Sequence, residues 1–283
     1  MSEEMSLPDS LQLAYDVAGR KNSPPIILLH DWMSYRGVWE QTTQVLKLSN
    51  FCIAIDLLGF GSSPKPSNAN YSINAQAQRV LNLADARGIG QFDLIGHGMG
   101  AQIGLYISSK LASERVGKLI TVAPIVTGQL NKPVENIFVP FVKAGESWPF
   151  LYNLAQRLAR TRFFANLLFR HWFYKSSLSF DSWELDRYMA LQHSIHVSAY
   201  QSLSAIQETD LSADLAAIRA PTLVVYGKQD RMVRSSDIQR IKQFVPNYVQ
   251  HQIDQCGHYL MYDHRDVFLD DLLAFLRQDN IQG

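Results

Sequence analysis

An aspartate and a histidine in the C-terminal third stand where α/β sheets commonly place reactive groups. Asp230 follows the apolar stretch at 221–226, and His258 follows the stretch at 248–253. Both stretches are predicted strands. The carboxyl ends of parallel strands meet at one edge of a sheet, where open α/β sheets place their sites. An aspartate beside a histidine there would suit acid–base chemistry.

A second candidate element is the glycine-rich turn Gly96-His97-Gly98-Met99-Gly100, which lies between a predicted strand and a predicted helix. A turn this tight needs small residues where the two backbones nearly touch. The G-x-S-x-G nucleophile elbow has the same context and carries a serine at its middle position. The middle residue is Gly98, so the attacking side chain is missing. We expect His97 to pack within the turn.

Strand-like and helix-like segments alternate along the chain. This alternation favours an α/β fold with a mostly parallel central sheet and helices on both faces. The predicted strands are 11–17, 25–29, 51–55, 92–95, 118–122, 221–226 and 248–253. The main predicted helices are 74–87, 99–111 and 267–277.

The segment 125–211 breaks this alternation, because it is rich in aromatic residues and has no clear buried strand. We predict a core formed by residues 1–124 and 212–283, with a helical lid at 125–211. The alternative is an ordinary second layer of helices over the sheet.

Four separated motifs resemble those of the lidded α/β-hydrolase-fold superfamily. They are His30-Asp31-Trp32, Asp56-Leu57-Leu58-Gly59-Phe60-Gly61, the turn at 96–100, and Asp230 followed by His258. Their chain order, with the elbow first, then the acid and then the histidine, is the order of that family.

The resemblance implies a role for each matching position. His258 would be the catalytic histidine and Asp230 the acid that orients it. The backbone N–H groups of Met99 and Trp32 would form the oxyanion hole. Gly98 would stand at the position of the nucleophile, where it offers no side chain.

Two positions depart from the family pattern, and both affect the chemistry. Without a side chain at Gly98 no acyl-enzyme can form there, although a water molecule in the vacated space could be activated by the histidine. Asp31 replaces the usual glycine, and its charge would repel a developing oxyanion unless it points away or pairs with a cation. Ser34 and Cys256 are alternative nucleophiles, but neither lies on an elbow.

Three interpretations of function remain open at this point. The first is a hydrolase acting on an apolar ester-like or related carbonyl substrate. The second is a non-catalytic ligand-binding or scaffold protein built on a hydrolase fold. The third is an active serine hydrolase whose serine at position 98 has been replaced.

The predicted lid indicates an apolar ligand. Between Trp148 and Phe180 it carries basic residues and aromatic residues but no acidic one. Its apolar faces would cover the pocket, and the alternative is peripheral contact with an anionic membrane. Aromatic walls with few polar groups suit an apolar substrate. The candidate pocket residues are His30, Asp31, His97 and Trp172.

Composition excludes several other classes of protein. The chain has 26 basic and 26 acidic residues, which argues against binding nucleic acid through bulk charge. Its two cysteines form neither a disulfide framework nor a metal-ligand spacing. We therefore expect no metal, nucleotide or organic cofactor. The polar start and the lack of a long apolar run predict a cytoplasmic protein, with peripheral membrane contact as the open alternative.

Overall fold

The computed structural model describes residues 12–132, 134–159, 161, 163, 190 and 195–278. Seven strands of these residues form one sheet in the order β1-β3-β2-β4-β5-β6-β7. The strands are β1 (Tyr15–Ala18), β2 (Pro25–Leu29), β3 (Phe51–Ile55), β4 (Phe92–His97), β5 (Val116–Val122), β6 (Thr222–Gly227) and β7 (Tyr248–Ile253). Only β1 runs antiparallel, against β3, and all other neighbours are parallel. The predicted α/β fold is confirmed.

Burial along the strands explains their sequences. All residues of β3 and all but the first of β2 are buried, because helices cover both faces of the central sheet. The strands at the two edges, β1 and β7, are largely half-buried or exposed. The continuous apolar runs of the sequence are therefore the central strands of the sheet.

Helices alternate with these strands along the chain, and those predicted at 74–87, 99–111 and 267–277 are among them. They are α1 (Glu40–Leu46), α2 (Ile73–Ala86), α3 (Met99–Tyr106), α4 (Val139–Ser147), α5 (Pro149–Ala159), α6 (His196–Glu208), α7 (Ser235–Phe244), α8 (Leu260–Asp263) and α9 (Arg265–Arg277). Short 3₁₀ turns lie at Arg36–Trp39 and Leu215–Ala217, and π-helical turns at Ile107–Leu111 and Val134–Phe138. The helix predicted at 99–111 thus ends in a wider, π-helical turn. Ser72 caps α2 by accepting a hydrogen bond from the N–H of Ala75 (3.2 Å).

Three helices, α4 to α6, come from the segment predicted as a lid. Two of them touch the loop that follows β2. The Tyr152 hydroxyl on α5 lies 3.9 Å from the Met33 sulfur, and the Trp32 indole N–H donates to the Ala199 carbonyl on α6 (2.9 Å). Most of the basic, aromatic part, including Trp172, lies outside the described residues, so the contact with an anionic membrane stays a prediction. None of the described helices combines the length and the apolar character needed to cross a bilayer.

Candidate active site

The sharp turn between β4 and α3 is centred on Gly98. Its backbone has φ +51° and ψ −110°, a conformation that a residue with a Cβ adopts only under strain. Its N–H donates to the Val122 carbonyl and its carbonyl accepts from the N–H of Gln102, both at 3.0 Å. A Cβ on Gly100 would lie 2.4 Å from the Leu29 carbonyl oxygen. Glycine is thus required at position 98 for the backbone conformation and at position 100 for the close approach of β2.

Asp31 fills the space in front of Gly98. It follows β2, which pairs directly with β4, so that Leu29 lies opposite Gly96. Its Oδ1 accepts a hydrogen bond from the backbone N–H of Met99 (2.7 Å). A Cβ at position 98 would lie 1.9 Å from this oxygen. The space left by the missing side chain is therefore taken by a carboxylate. The water molecule that the sequence analysis allowed in this space has no room there.

His258 lies between two carboxylates. Its Nδ1 is 2.8 Å from Asp230 Oδ2, and its Nε2 is 2.9 Å from Asp31 Oδ2. The residue is only 1% exposed. Burial alone would lower the pKa of His258, but the charges and hydrogen bonds of Asp230 and Asp31 outweigh it and raise the pKa to about 10. The ring is therefore an imidazolium at neutral pH, and both of its N–H groups donate to carboxylates.

The charge of Asp31 is fixed by the same contacts. Burial by itself raises the pKa of Asp31, yet the hydrogen bond and charge of His258, with smaller effects of His97 and the Met99 N–H, lower it to about 2. Of the two orientations expected from the sequence, the side chain therefore adopts the one that pairs with a cation.

His97 packs against this group from within the turn. Its Nε2 is 2.9 Å from the His258 carbonyl oxygen, which fixes Nε2 as the protonated nitrogen. Burial and the nearby charge of His258 lower the pKa of His97 to about 4, so the ring is neutral. One ligand atom each from Asp31, His97 and His258 lies within 4.8 Å of the others, a set that could hold a metal ion. Asp31 and His258 already satisfy each other by their direct bond.

His30 holds the loop that carries Asp31. Its Nδ1–H donates to the Asp31 carbonyl (2.7 Å), and its Nε2 accepts from the Leu57 N–H (3.0 Å). Burial lowers the pKa of His30, which keeps the ring neutral and able to both donate and accept. Met33, two residues after Asp31, has a positive φ of 52°, a backbone conformation that is uncommon for a residue with a side chain.

An ion pair fixes the loop after β3. Its acid, Asp56, belongs to one of the four motifs that resemble the α/β-hydrolase fold, but the sequence did not reveal its role. The Asp56 carboxylate accepts hydrogen bonds from the backbone N–H groups of Arg36 and Ser62, both at 2.7 Å, and pairs with the Arg36 guanidinium. A Cβ on Gly61 would lie 2.1 Å from the same carboxyl carbon. The signal was an aspartate at the end of a fully buried strand, followed by glycines.

The other residues proposed from the sequence have different surroundings. Because both ring nitrogens of His258 bond to carboxylates, the ring does not activate Ser34 or Cys256 in this arrangement. Both cysteines are buried, and neither forms a disulfide. The indole of Trp32 is bonded to α6, and the role of its backbone N–H in an oxyanion hole stays a prediction.

A model of the alpha/beta hydrolase fold matches residues 24–265, most of the chain. The chain belongs to the α/β-hydrolase family. It is 28% identical over 241 residues to a 2-hydroxymuconate semialdehyde hydrolase of Pseudomonas putida, covering 80% of this chain and 76% of that protein. It is 23% identical over 296 residues to human epoxide hydrolase 4, covering 95% of this chain and 76% of that protein. Its fold is similar to that of an esterase from Exiguobacterium antarcticum, with a TM-score of 0.78 and 18% identity, covering 94% of this chain and 96% of that protein. At this general level, membership indicates a hydrolase.

The charge state of His258 predicts how the stability of this α/β-hydrolase depends on pH. The pKa of His258 is raised in the folded protein, so its stabilising contribution is complete below the unfolded value of about 6.5 and is lost as the pH rises through about 10. We expect the free energy of unfolding to fall across this window, with a slope of at most about 1.4 kcal/mol per pH unit from this group. Urea denaturation of the protein and of His258→Gln across this pH range measures the pH dependence of the free energy of unfolding. Parallel curves for the two proteins would contradict the assignment.

Proposed function

We propose that this protein hydrolyses a largely apolar substrate and that its centre consists of Asp31, His258 and Asp230. One observation carries the proposal: the Asp31 carboxylate engages the Met99 N–H and the outer nitrogen of His258. In a serine triad the outer histidine nitrogen is the partner of the nucleophile, and the N–H that follows the nucleophile is a donor of the oxyanion hole. The family's reactive position is therefore occupied by a different reactive side chain.

The three side chains suit proton transfer during hydrolysis. Asp230 holds the His258 ring by its inner nitrogen, so that the outer nitrogen faces Asp31. The imidazolium can donate its Nε2 proton to an oxygen that leaves the substrate, and the neutral ring can then take a proton from water. One ring thus serves both halves of a hydrolytic cycle.

The two alternative interpretations are less consistent with this geometry. A purely structural or ligand-binding protein would gain little from burying one imidazolium between two carboxylates, because such groups cost desolvation free energy and cluster at active sites. A serine at position 98 would place its Cβ 1.9 Å from Asp31 Oδ1. A simple replacement of a former serine therefore does not account for the position of Asp31.

The surroundings of the site favour an apolar substrate. The residues after Asp31 are Trp32 and Met33, and Tyr152 on α5 reaches the Met33 sulfur. The side chains next to Asp31 in this loop are thus an indole and a thioether, which suit an apolar ligand better than a charged one. Apolar ester-like or related carbonyl compounds and apolar epoxides are the two classes to test.

Replacing His258 by glutamine tests the proposal. A panel of short- and long-chain acyl esters and epoxides first identifies a substrate that the protein accepts. We expect the rate of its hydrolysis to fall by about 10²–10⁴-fold in the variant, the usual contribution of general acid–base catalysis. The matched control is His251→Gln, because His251 also pairs with an aspartate, Asp271, but lies on the outer strand β7. Equal activity in the two variants, with both folded by circular dichroism, would refute a catalytic role for His258.

A further inference from the structure

The two departures from the family pattern explain each other. Gly98 leaves a space that a Cβ would fill, and the Asp31 carboxylate lies in that space, with Oδ1 1.9 Å from the site of this missing Cβ. A glycine at position 31 would leave the Met99 N–H and His258 Nε2 without these bonds, and a side chain at position 98 would expel the carboxylate. The Asp31 carboxylate, at the end of the neighbouring strand, therefore lies where a side chain on the elbow would project.

We propose that Asp31 is the nucleophile of this hydrolase and that its substrate carries an electrophilic saturated carbon, as in an apolar epoxide. The inference rests on the proposed function and adds to it the attacking atom and the substrate class. Each carboxylate oxygen of Asp31 accepts one described hydrogen bond and has a further lone pair to offer.

The choice of substrate class follows from the chemistry of a carboxylate. Attack on an ester carbonyl would form an anhydride, which is more reactive than the ester that was consumed. Attack on a saturated carbon forms an ordinary ester, which is stable enough to be an intermediate and can be hydrolysed by activated water. A strained three-membered ring provides such a carbon and a leaving oxygen that stays attached to the product.

In the first step, Asp31 Oδ2 attacks a ring carbon and the bond from that carbon to the epoxide oxygen breaks. The electron pair of that bond goes to the oxygen, which takes the Nε2 proton of His258 and becomes a hydroxyl. Oδ1 becomes the carbonyl oxygen of the new ester and stays within reach of the Met99 N–H. The products of this step are a covalent ester at Asp31 and a neutral imidazole.

In the second step, the neutral His258 takes a proton from water, and the hydroxide adds to the carboxyl carbon of Asp31. The charge that develops on Oδ1 is stabilised by the Met99 N–H, as in an oxyanion hole. The bond from the carboxyl carbon to Oδ2 then breaks, and the leaving oxygen takes the proton of the added hydroxyl group. One water and one epoxide give one diol, and the Asp31 carboxylate and imidazolium are restored with an oxygen from water in Asp31.

Oxygen exchange into Asp31 tests this mechanism directly. The protein turns over styrene oxide, 1,2-epoxyhexane or p-nitrophenyl butyrate in oxygen-18 water, and is then digested with trypsin in ordinary water. The expected peptide, residues 22–36, carries Asp31 as its only side-chain carboxylate. We expect diol formation from an epoxide and heavy oxygen in this peptide, located at Asp31 by fragmentation, and neither in Asp31→Asn.

The outcomes separate the inference from the function on which it rests. Hydrolysis of an epoxide without heavy oxygen in the peptide overturns the nucleophilic role of Asp31 and leaves the hydrolase proposal intact. Hydrolysis of the ester alone overturns the epoxide assignment and also leaves the hydrolase proposal intact. Failure to consume any of the three compounds overturns the epoxide assignment and counts against the proposed function as well. Heavy oxygen in the peptide without any substrate would reveal simple exchange and would also overturn the inference.

Discussion

Converting the centre back to a serine hydrolase should need two substitutions, Asp31→Gly together with Gly98→Ser. The single change Gly98→Ser places a Cβ 1.9 Å from Asp31 Oδ1 and gives a residue with a side chain a φ of +51°. We expect this variant to be less stable and to react poorly. Removing the Asp31 carboxylate frees the Met99 N–H to act as an oxyanion donor and leaves His258 Nε2 free to accept the serine proton.

The double variant should therefore hydrolyse p-nitrophenyl butyrate at least about 10³-fold faster than Asp31→Gly alone, since losing the nucleophile of a triad costs up to about a millionfold. Part of the gain comes from the charge of the ring. Asp31 is one of the two groups that raise the pKa of His258, so its removal lowers that pKa and favours the neutral ring that a general base requires. A serine-directed fluorophosphonate should label the double variant and not the original chain. Equal labelling of Gly98→Ser alone would show that Asp31 does not obstruct the position.

Asp56→Ala should cause the largest loss of stability among the polar residues of the loops around the site. The side chain of Asp56 is 0% exposed and accepts from two backbone N–H groups in addition to pairing with Arg36. Its removal leaves these donors without their acceptor and breaks a partly buried ion pair, which together cost about 3–5 kcal/mol. Urea denaturation at neutral pH gives the free energy of unfolding directly.

The matched control is Asp16→Ala, which removes the other carboxylate bonded to the same guanidinium. Asp16 is 68% exposed, so the loss of its ion pair should cost less than about 1 kcal/mol. Asp56→Ala should also slow catalysis, because the loop it fixes presents the Leu57 N–H to His30, the residue that holds Asp31. Similar losses of stability in the two variants would contradict the structural role of Asp56.

The sequence by itself determined the fold class and most of the element positions. The strands at 25–29 and 51–55 begin and end as the apolar runs predict, since a strand buried on both faces needs a continuous apolar run and ends where polar or glycine residues follow. The edge strand at 248–253 also has the predicted bounds. The placement of Asp230 and His258 on neighbouring loops follows from the same rule, and the structure brings them to 2.8 Å. The missing side chain at Gly98 was also visible.

What only the tertiary structure decided is the position of the Asp31 side chain. The sequence shows a carboxylate after a buried strand, but the direction of that side chain depends on the pairing of β2 with β4. In this pairing Leu29 lies opposite Gly96, which is 67 residues away along the chain. This register places the end of one strand against the turn of the other, and the hydrogen bond that Asp31 and His258 then form favours the charged form of both side chains. Short-range pattern determines secondary structure, whereas the contact that defines this centre arises from packing between distant segments.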